Sequence, residues 1–326
     1  MPSPKITGLR VSGFKKFQEL FTLDLRDPQG APLKTVVLGG SNGSGKTTLL
    51  EAILVGLGRA ALLRNPGSEH EPAGALRGAE IELDILRDSS IQIVRYTHDV
   101  LATFSTANEF LSGGSKALAA IPVEFYSSWR SPSLVGGVRP MTAGRRPGDT
   151  EANRLWRLKQ KIVDQRSRKG FQQTLPGMPL DDLWLEKLNH AWQLFHGPTS
   201  SIDAQIVDPE SEDVVFDLFV LQDGQRVCSV DDCASGEIEI LALTATLILQ
   251  DFDGILLLDE PELHLHPEWQ AGLLPALRAL APEAQIIVST HSDLIWDQAY
   301  SYERFLLAPP DDPRVSARRA PEETRG

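Results

Sequence analysis

Several features that would point to a secreted or membrane protein are scarce in this chain. Only two of its 326 residues are cysteines, Cys228 and Cys233, and their spacing matches no common zinc pattern. No uninterrupted apolar run approaches the roughly 20 residues that a membrane-spanning helix needs. The first residues also lack the apolar core of a signal peptide. We therefore expect a cytoplasmic protein with free thiols and no membrane partner.

Repeats and net positive charge are also missing. The chain shows no internal repeat and no heptad run long enough for a coiled-coil arm. Its 41% of hydrophobic residues is enough for a substantial core in one large or two ordinary domains. With 32 basic and 44 acidic residues the net charge is −12, which argues against a protein that coats nucleic acid over its whole surface.

One stretch runs against this acidic background. Between Trp129 and Gly170 there are eleven Lys or Arg residues and three acidic ones, so this basic window carries about +8. We favour a solvated helix face or a patch for an acidic protein partner; binding of the phosphates of DNA or RNA by a basic helix face is the alternative. The helical series consists of Arg154, Arg157, Lys159, Lys161, Arg166, Arg168 and Lys169.

A glycine-rich segment carries the most specific motif. Gly40 to Thr47 satisfies the pattern G-x-x-x-x-G-K-[ST], between an apolar strand-like run and a helical pattern. Such a loop wraps its backbone N–H groups around the phosphates of ATP, Lys46 reaches the β- and γ-phosphates, and the Thr47 hydroxyl ligates Mg²⁺. The predicted nucleotide-binding residues are Gly40, Ser41, Asn42, Gly43, Ser44, Gly45, Lys46, Thr47 and Thr48.

Polar residues follow two later strand-like runs. Asp259 and Glu260 come directly after Ile255–Leu258, and His291 follows Gln285–Ser289. Ligands of α/β sheets lie at the carboxyl ends of the strands. We predict that Asp259 holds Mg²⁺, that Glu260 orients and deprotonates the attacking water, and that His291 contacts the γ-phosphate or the water. The catalytic set is thus Glu260, His291 and Lys46; helix capping by the two acids is the alternative.

The remaining patterns predict the supporting elements. Residues 5–14 alternate in the manner of a half-buried strand, and 79–96 and 214–230 each predict a hairpin. Two amphipathic helices are expected, with apolar faces that include Leu155 and Trp156 in the first helix and Leu188, Trp192 and Phe195 in the second.

Taken together, the motifs resemble a known family. Gly40 to Thr47, Cys233 to Glu237, Leu258 to Pro267 and Ser289 to Ser292 stand in the order of an ABC-type ATPase. The Glu-Pro-Glu and Leu-His-Pro form of the acidic motif is similar to the AAA-family ATPases of the RecF, chromosome-maintenance and OLD-like branch. His264 and His266 belong to this pattern, so we favour it over a zinc site.

The resemblance implies a fold and a mechanism. The fold would be an α/β P-loop NTPase, an ABC ATPase head with a mixed or parallel sheet, an antiparallel β subdomain and a helical insert. Two heads would close face to face, with Ser235, Gly236 and Glu237 of one contacting the ATP of the other. Ala234 stands where many members have serine, which predicts slow hydrolysis or a switch. Family members have a glutamine after the early strands that contacts Mg²⁺, and no such glutamine is identifiable here. Arg130 could take a similar position near the nucleotide, although a surface arginine is the alternative.

The sequence patterns and the resemblance together predict an organisation. Residues 1–130 would form an N-terminal ATPase lobe, 131–200 a basic helical insert, 201–308 a C-terminal ATPase lobe and 309–326 a disordered tail. We do not expect a Toprim nuclease domain after His291, as found in OLD-like enzymes, so a separate effector such as a nuclease would be needed.

Our main functional prediction is an ATPase that hydrolyses ATP to ADP and phosphate, dimerises around ATP and Mg²⁺ and controls this effector. Its setting would be prokaryotic anti-phage defence of the Septu or retron kind, or DNA transactions. A RecF-like repair clamp, a permease motor and a non-hydrolysing ATP switch are the alternatives.

Overall fold

The computed structural model describes residues 3–63, 78–87, 90–97, 100–105, 118, 121–128, 155–156, 158–160, 183–208, 215–249 and 251–308. These residues fall into two compact units. The first unit comprises Met1–Ser128, Asp253–Leu263 and Glu283–Gly326, and the second comprises Trp129–Phe252 and His264–Pro282. The glycine loop and the acidic pair Asp259 and Glu260 therefore lie in the first unit, and the signature segment, Ser235 to Glu237, lies in the second.

The elements follow one another in this order: β1 (Lys5–Ser12), β2 (Phe21–Asp24), β3 (Thr35–Gly39), α1 (Lys46–Gly56), β4 (Glu80–Arg87), β5 (Ser90–Thr97), β6 (Val100–Ser105), β7 (Val123–Tyr126), α2 (Leu183–His196), β8 (Ser200–Ile206), β9 (Phe216–Gln222), β10 (Gln225–Ser229), α3 (Ser235–Leu249), β11 (Ile255–Asp259), α4 (Pro267–Leu280), β12 (Gln285–Thr290), α5 (Asp293–Trp296) and β13 (Arg304–Leu306). Short 3₁₀ turns precede α3, follow β11 and precede β13.

A parallel sheet with the order β13-β3-β12-β11-β7 forms one layer of the first unit. Every residue of β3, β11 and β12 is buried. Strands covered on both faces need continuous apolar runs instead of alternation, which is what these segments supply. The three buried parallel strands predicted from the sequence are confirmed, and their carboxyl ends lie side by side.

An antiparallel sheet with the order β2-β1-β4-β5-β6 forms the other layer. The hairpin predicted within residues 79–96 is confirmed by the pairing of β4 with β5. The expectation of a half-buried β1 is wrong, because six of its eight residues are buried. Its polar face is covered as well: the Lys5 amine donates to the Glu283 carbonyl, and Thr7 donates to the Asp84 carbonyl at 3.2 Å.

Gln285 joins the two layers of this unit. Its side-chain Oε1 accepts from the Ile6 N–H at 2.7 Å, and its Nε2 donates to the carbonyls of Ile6 and Leu33, both at 2.8 Å. The side chain is fully buried. Since a buried amide is costly unless its hydrogen bonds are made, these three bonds explain how a glutamine begins a core strand.

The second unit contains the antiparallel sheet β10-β9-β8 and the helices α2, α3 and α4. The predicted hairpin of β9 and β10 is confirmed, with its turn at Asp223 and Gly224, both of positive φ. Its core takes Leu188, Ala191 and Trp192 from α2. The apolar face predicted for this helix is thus confirmed for the residues whose side chains are described, except that Phe195 is half-buried.

Lys159 corrects the interpretation of the basic window. Its side chain is fully buried, and its Nζ lies 2.6 Å from Asp217 Oδ1 and 2.8 Å from Asp231 Oδ1. A buried, doubly paired ammonium cannot neutralise a nucleic-acid phosphate. The other members of the helical series, as well as Arg130 and the predicted tail 309–326, lie outside the described residues, so the nucleic-acid surface stays a prediction.

In the parts of the chain that the structure describes, no helix combines the length and the apolar composition that a membrane span requires. Cys228 and Cys233 are free thiols whose Sγ atoms lie 4.0 Å apart. Burial is the main reason that the pKa of Cys233 is raised to about 12, so this thiol is protonated at neutral pH.

Candidate functional site

The glycine loop connects β3 to α1 in the first unit. Three glycines of this loop, Gly40, Gly43 and Gly45, have backbone φ values of 149°, 73° and 105°, which residues other than glycine rarely adopt. Gly45 is the residue before α1, and no side chain caps that helix end. The first N–H groups of α1 therefore lie beside the loop, as in an anion-binding helix terminus.

Lys46 is the first residue of α1, and its ammonium group turns back over the loop. It donates to the carbonyls of Gly40 and Ser41 at 3.1 and 3.3 Å, and it lies 2.7 Å from His291 Nε2. This contact brings together two residues that are 245 positions apart.

Thr47 meets the end of β11. Its hydroxyl donates to Asp259 at 2.9 Å from Oδ1 and 3.2 Å from Oδ2. Asp259 is buried, and its Oδ1 also accepts from the Ser289 hydroxyl at 2.5 Å. β12 lies between β3 and β11 in the sheet, so its Ser289 is placed to hold the carboxylate against the loop.

Glu260 has a strained backbone, with φ at 46° in the left-handed region. Its N–H donates to the Ser289 carbonyl at 3.0 Å and lies 3.2 Å from the Ser289 hydroxyl oxygen. The Glu260 side chain approaches the same imidazole nitrogen as Lys46, since its Oε1 lies 3.0 Å from His291 Nε2. Lys46, Glu260 and His291 thus converge, as the sequence predicted for the three catalytic residues, although their roles stay predictions.

The signature segment begins α3 in the second unit. Glu237 turns back, and its Oε2 accepts from the Ala234 N–H at 2.7 Å, which is half of a capping box. Its Oε1 lies 3.2 Å from Nε2 of His196, a side chain stacked on Trp192 with ring centroids 3.5 Å apart. Burial is the main cause that lowers the pKa of His196, and Glu237 opposes it. Ser235 and Gly236 are the first two residues of the helix.

Sequence reasoning missed the residues that hold these groups in place. The motifs contain Ser289 and Glu262 but predict no role for either, yet Ser289 bonds to Asp259 and Glu262 accepts from the His291 N–H. No sequence pattern points to His196. The available signal for Ser289 was its place near the carboxyl end of a predicted strand; in the structure it lies directly opposite Asp259 in the parallel register.

Two pockets border the loop. One of about 730 Å³ is lined by loop residues together with Phe17, Phe21 and Arg304. The other, of about 360 Å³, lies between Gly40 and His291. Both belong to the first unit, and residues of the loop line each of them.

Replacing Gly40 with alanine should destabilise the loop more than the same change at Gly43. Both positions have a positive φ, which costs a residue with a Cβ about 1–3 kcal/mol. At Gly40 the added Cβ would also lie 2.4 Å from the backbone carbonyl of Leu307, whereas at Gly43 it meets nothing within 4 Å. Thermal unfolding should show a melting temperature lower by at least about 4 °C in G40A than in G43A. Equal melting temperatures for the two variants would mean that the backbone at Leu307 moves away from the added Cβ at no measurable cost.

The parallel sheet, the glycine loop leading into α1 and the acidic strand end beside it define the class of the protein, an α/β P-loop ATPase. Residues 36–297 match the family described as AAA domain, putative AbiEii toxin, Type IV TA system. The chain belongs to this AAA family.

Individual relatives agree with this assignment. The chain is 40% identical to the Septu protein PtuA of Bacillus thuringiensis over 73 residues, and 36% identical to the retron Ec83 probable ATPase of Escherichia coli over 91 residues. These stretches are 22% and 24% of this chain and span 18% and 17% of the relatives' own lengths. The resemblance to defence ATPases therefore rests on a minor part of those proteins.

The fold has a neighbour among solved structures. An Smc head domain with an extended coiled coil, bound to the C-terminal domain of ScpA and derived from Pyrococcus furiosus, superposes with a TM-score of 0.55 at 18% identity. The alignment covers 91% of this chain and 92% of that one. The predicted fold class, a P-loop ATPase head with parallel and antiparallel sheets, is thereby confirmed.

Proposed function

We propose that the protein binds ATP with Mg²⁺ at the glycine loop and hydrolyses it to ADP and phosphate. The observation that carries the proposal is the 2.9 Å contact between the Thr47 hydroxyl and Asp259, which brings the phosphate loop and the acidic strand end into one site. ATPases of this class use these two groups around a shared magnesium ion.

The donor set fits a hard cation and a phosphate. Hydroxyl and carboxylate oxygens are the protein ligands that Mg²⁺ prefers, and Thr47 and Asp259 supply one of each. Bound there, Mg²⁺ would neutralise charge on the phosphate oxygens. The Ser44 hydroxyl in the loop is buried, and within the described residues it has no hydrogen-bond partner. A phosphate oxygen would supply one.

Lys46 would exchange its partners when phosphate binds. Burial lowers its pKa, and the carboxylates of Glu260, Asp259 and Glu262 act in the opposite direction. An incoming phosphate adds further negative charge, which favours the ammonium form. The group would then leave the carbonyls of Gly40 and Ser41 and His291 Nε2, so that His291 becomes free to contact the phosphate or the water.

Glu260 would act as the base. Its carboxylate is partly exposed and lies beside His291 Nε2, beyond the strand end at which α/β sheets place their ligands. Proton transfer to a carboxylate in this position, together with charge neutralisation by Lys46, accounts for the chemistry that phosphoryl transfer to water requires.

The ATP-bound state would be a dimer of two heads. Ser235, Gly236 and Glu237 begin α3, so their N–H groups and its dipole would face a phosphate of the second copy. Ala234 offers a backbone N–H but no hydroxyl, and that N–H now bonds to Glu237. We therefore expect slow turnover, and Glu237 would have to release the N–H for a partner's phosphate.

The dimer would control a separate effector protein, such as a nuclease, in anti-phage defence. This step is supported by the similarity to a Septu protein and a retron ATPase, and by the family-level resemblance in the motifs. Opening and closing of the dimer with ATP would be the signal that the effector reads.

Replacing Thr47 with valine tests the proposed site directly. Valine keeps the shape but removes the hydroxyl, so phosphate release in the presence of ATP and Mg²⁺ should fall at least about tenfold. Binding of ATP in EDTA, measured by isothermal titration calorimetry, should stay within about threefold of the unchanged protein. The variant should therefore lose magnesium-dependent phosphate release and keep magnesium-independent ATP binding.

The matched control is Thr22→Val, at an exposed position of β2, which should change neither quantity. Size-exclusion chromatography with light scattering on the unchanged protein should show a larger species with ATP and Mg²⁺ than without them. A protein that neither binds ATP nor releases phosphate above the level of Thr47→Val would contradict the proposed function.

A further inference from the structure

Glu262 makes a contact that the proposed chemistry does not use. It lies in the 3₁₀ turn Pro261–His264, two residues after Glu260. Its Oε1 accepts a hydrogen bond from the backbone N–H of His291 at 2.5 Å. A charged acceptor makes such a bond shorter and stronger than one between neutral groups.

This bond extends the connection between two strands beyond their ends. β11 and β12 pair in parallel up to Asp259 and Ser289, and the Glu260 N–H adds one more bond to the Ser289 carbonyl. After that point the backbones diverge into separate turns. The Glu262 carboxylate therefore attaches the turn that carries His291 to the turn that carries Glu260.

Two other N–H groups, on Ser292 and Ile295, bond to side chains close by in the sequence. The Ser292 N–H donates to the Thr290 hydroxyl at 2.9 Å, and the Ile295 N–H lies 3.4 Å from the Ser292 hydroxyl. The His291 N–H differs, because its acceptor comes from a residue 29 positions earlier in the chain. Local turn formation alone therefore does not account for the hydrogen bond between the His291 N–H and Glu262.

We propose that Glu262 is a positioning residue that fixes His291 relative to Glu260, so that the two side chains stay 3.0 Å apart when Lys46 moves to the phosphate. The inference rests on the proposed ATPase function for its kinetic consequence. The structural part of the inference is that the position of His291 depends on the length of the Glu262 side chain. This part can be tested without hydrolysis.

Three substitutions separate reach from charge. Glu262→Gln keeps the length and an accepting carbonyl oxygen but removes the charge. Glu262→Asp keeps the charge but shortens the side chain by one methylene, and Glu262→Ala removes both. Misplacing a reacting group by about 1 Å can cost about 100-fold in rate. We expect kcat to fall about 10- to 100-fold in the Asp and Ala variants and to stay within about fivefold in the Gln variant, with KM for ATP nearly unchanged in all three.

A readout that does not require turnover accompanies the kinetics. In protein labelled with ¹⁵N-histidine, the imidazole resonances of His291, assigned by their loss in His291→Gln, should shift in the Asp and Ala variants and stay in place in the Gln variant. If the unchanged protein shows no hydrolysis, the proposed function fails, and the resonances still decide the role of Glu262.

Two results would overturn the inference. Losses in the Gln and Ala variants together with an unchanged Asp variant would assign the effect to charge and not to reach. Unchanged His291 resonances in Glu262→Ala, with only a lower melting temperature, would leave Glu262 a purely structural residue. The Asp variant keeps the question decidable if the Ala variant does not fold.

Discussion

Glu260→Gln should reduce phosphate release about 100- to 10,000-fold while ATP binding is retained, because glutamine has the size of glutamate but cannot accept the proton of the attacking water. The side chain lies 3.0 Å from His291 Nε2, within the site that also contains Lys46. Glutamine places an amide oxygen or nitrogen where Oε1 lies, so the local geometry should survive. The measurement is phosphate release under saturating ATP and Mg²⁺, with ATP affinity determined separately.

The same variant should accumulate the dimer. If hydrolysis opens the two heads, removing the base leaves ATP bound, and light scattering should show a dimer with ATP and Mg²⁺ and a monomer without nucleotide. Glu283→Gln is the matched control, since Glu283 is an exposed glutamate of the same unit that pairs with Lys34 at 3.4 Å. It should behave like the unchanged protein.

Two outcomes would count against this scheme in different ways. A Glu260→Gln protein that hydrolyses ATP at the normal rate would exclude Glu260 as the base. A protein that binds ATP but remains a monomer would leave the site intact and reject the proposed contact between the signature segment and the second copy's nucleotide. In that case Ser235 to Glu237 would simply begin a helix, with Glu237 as its cap.

The sequence predicted this part of the molecule well because its signals are local. A buried strand, a glycine loop and a helix follow one another directly at residues 35–56, and each has its own pattern of residues. The same holds for the apolar run that ends at Asp259. Parallel strands place their carboxyl ends at one edge, so the convergence of Asp259 with Thr47 follows once both runs are recognised.

The contacts that hold the site could not be predicted in this way. Whether Glu262 caps the turn of His291 depends on how two turns approach each other after their strands end, and no spacing in the sequence specifies that distance. The same limit applies to Gln285, a polar residue whose burial requires three acceptors and donors from distant segments. β6 and β8 were not predicted either.

Lys159 was misplaced for a different reason. It occurs in a run dense with Lys and Arg, which suggested a solvated helix face. The helical period held the correct information: Lys159 follows Leu155 by four residues, and both Leu155 and Leu158 are buried in the core of the second unit. A charged residue on the apolar face requires a buried counter-charge, and Asp217 and Asp231 provide it.

This arrangement predicts a large effect on stability. Lys159→Met should lower the free energy of unfolding by about 3–5 kcal/mol, because it leaves the buried carboxylate of Asp217 and the partly buried carboxylate of Asp231 without their common cation. The loss should be visible in urea unfolding followed by circular dichroism, in the transition of the second unit. The surrounding bonds do not compensate: Asp217 Oδ2 accepts from the Ser229 hydroxyl at 2.9 Å, but a hydroxyl carries no positive charge.

The matched control is Lys187→Met in the same unit. Lys187 pairs with Asp251 at 3.5 Å, but both side chains are largely exposed, so its loss should cost no more than about 1 kcal/mol. Adding Asp217→Asn and Asp231→Asn to Lys159→Met should restore part of the stability, since the unpaired charges are then removed. Equal destabilisation by Lys159→Met and Lys187→Met would show that the buried cation contributes no more than a surface pair. A large loss of stability with Lys159→Met would instead show that Lys159 stabilises the 3₁₀ turn that contains Asp231. This turn directly precedes the signature segment, since Asp231 lies four residues before Ser235.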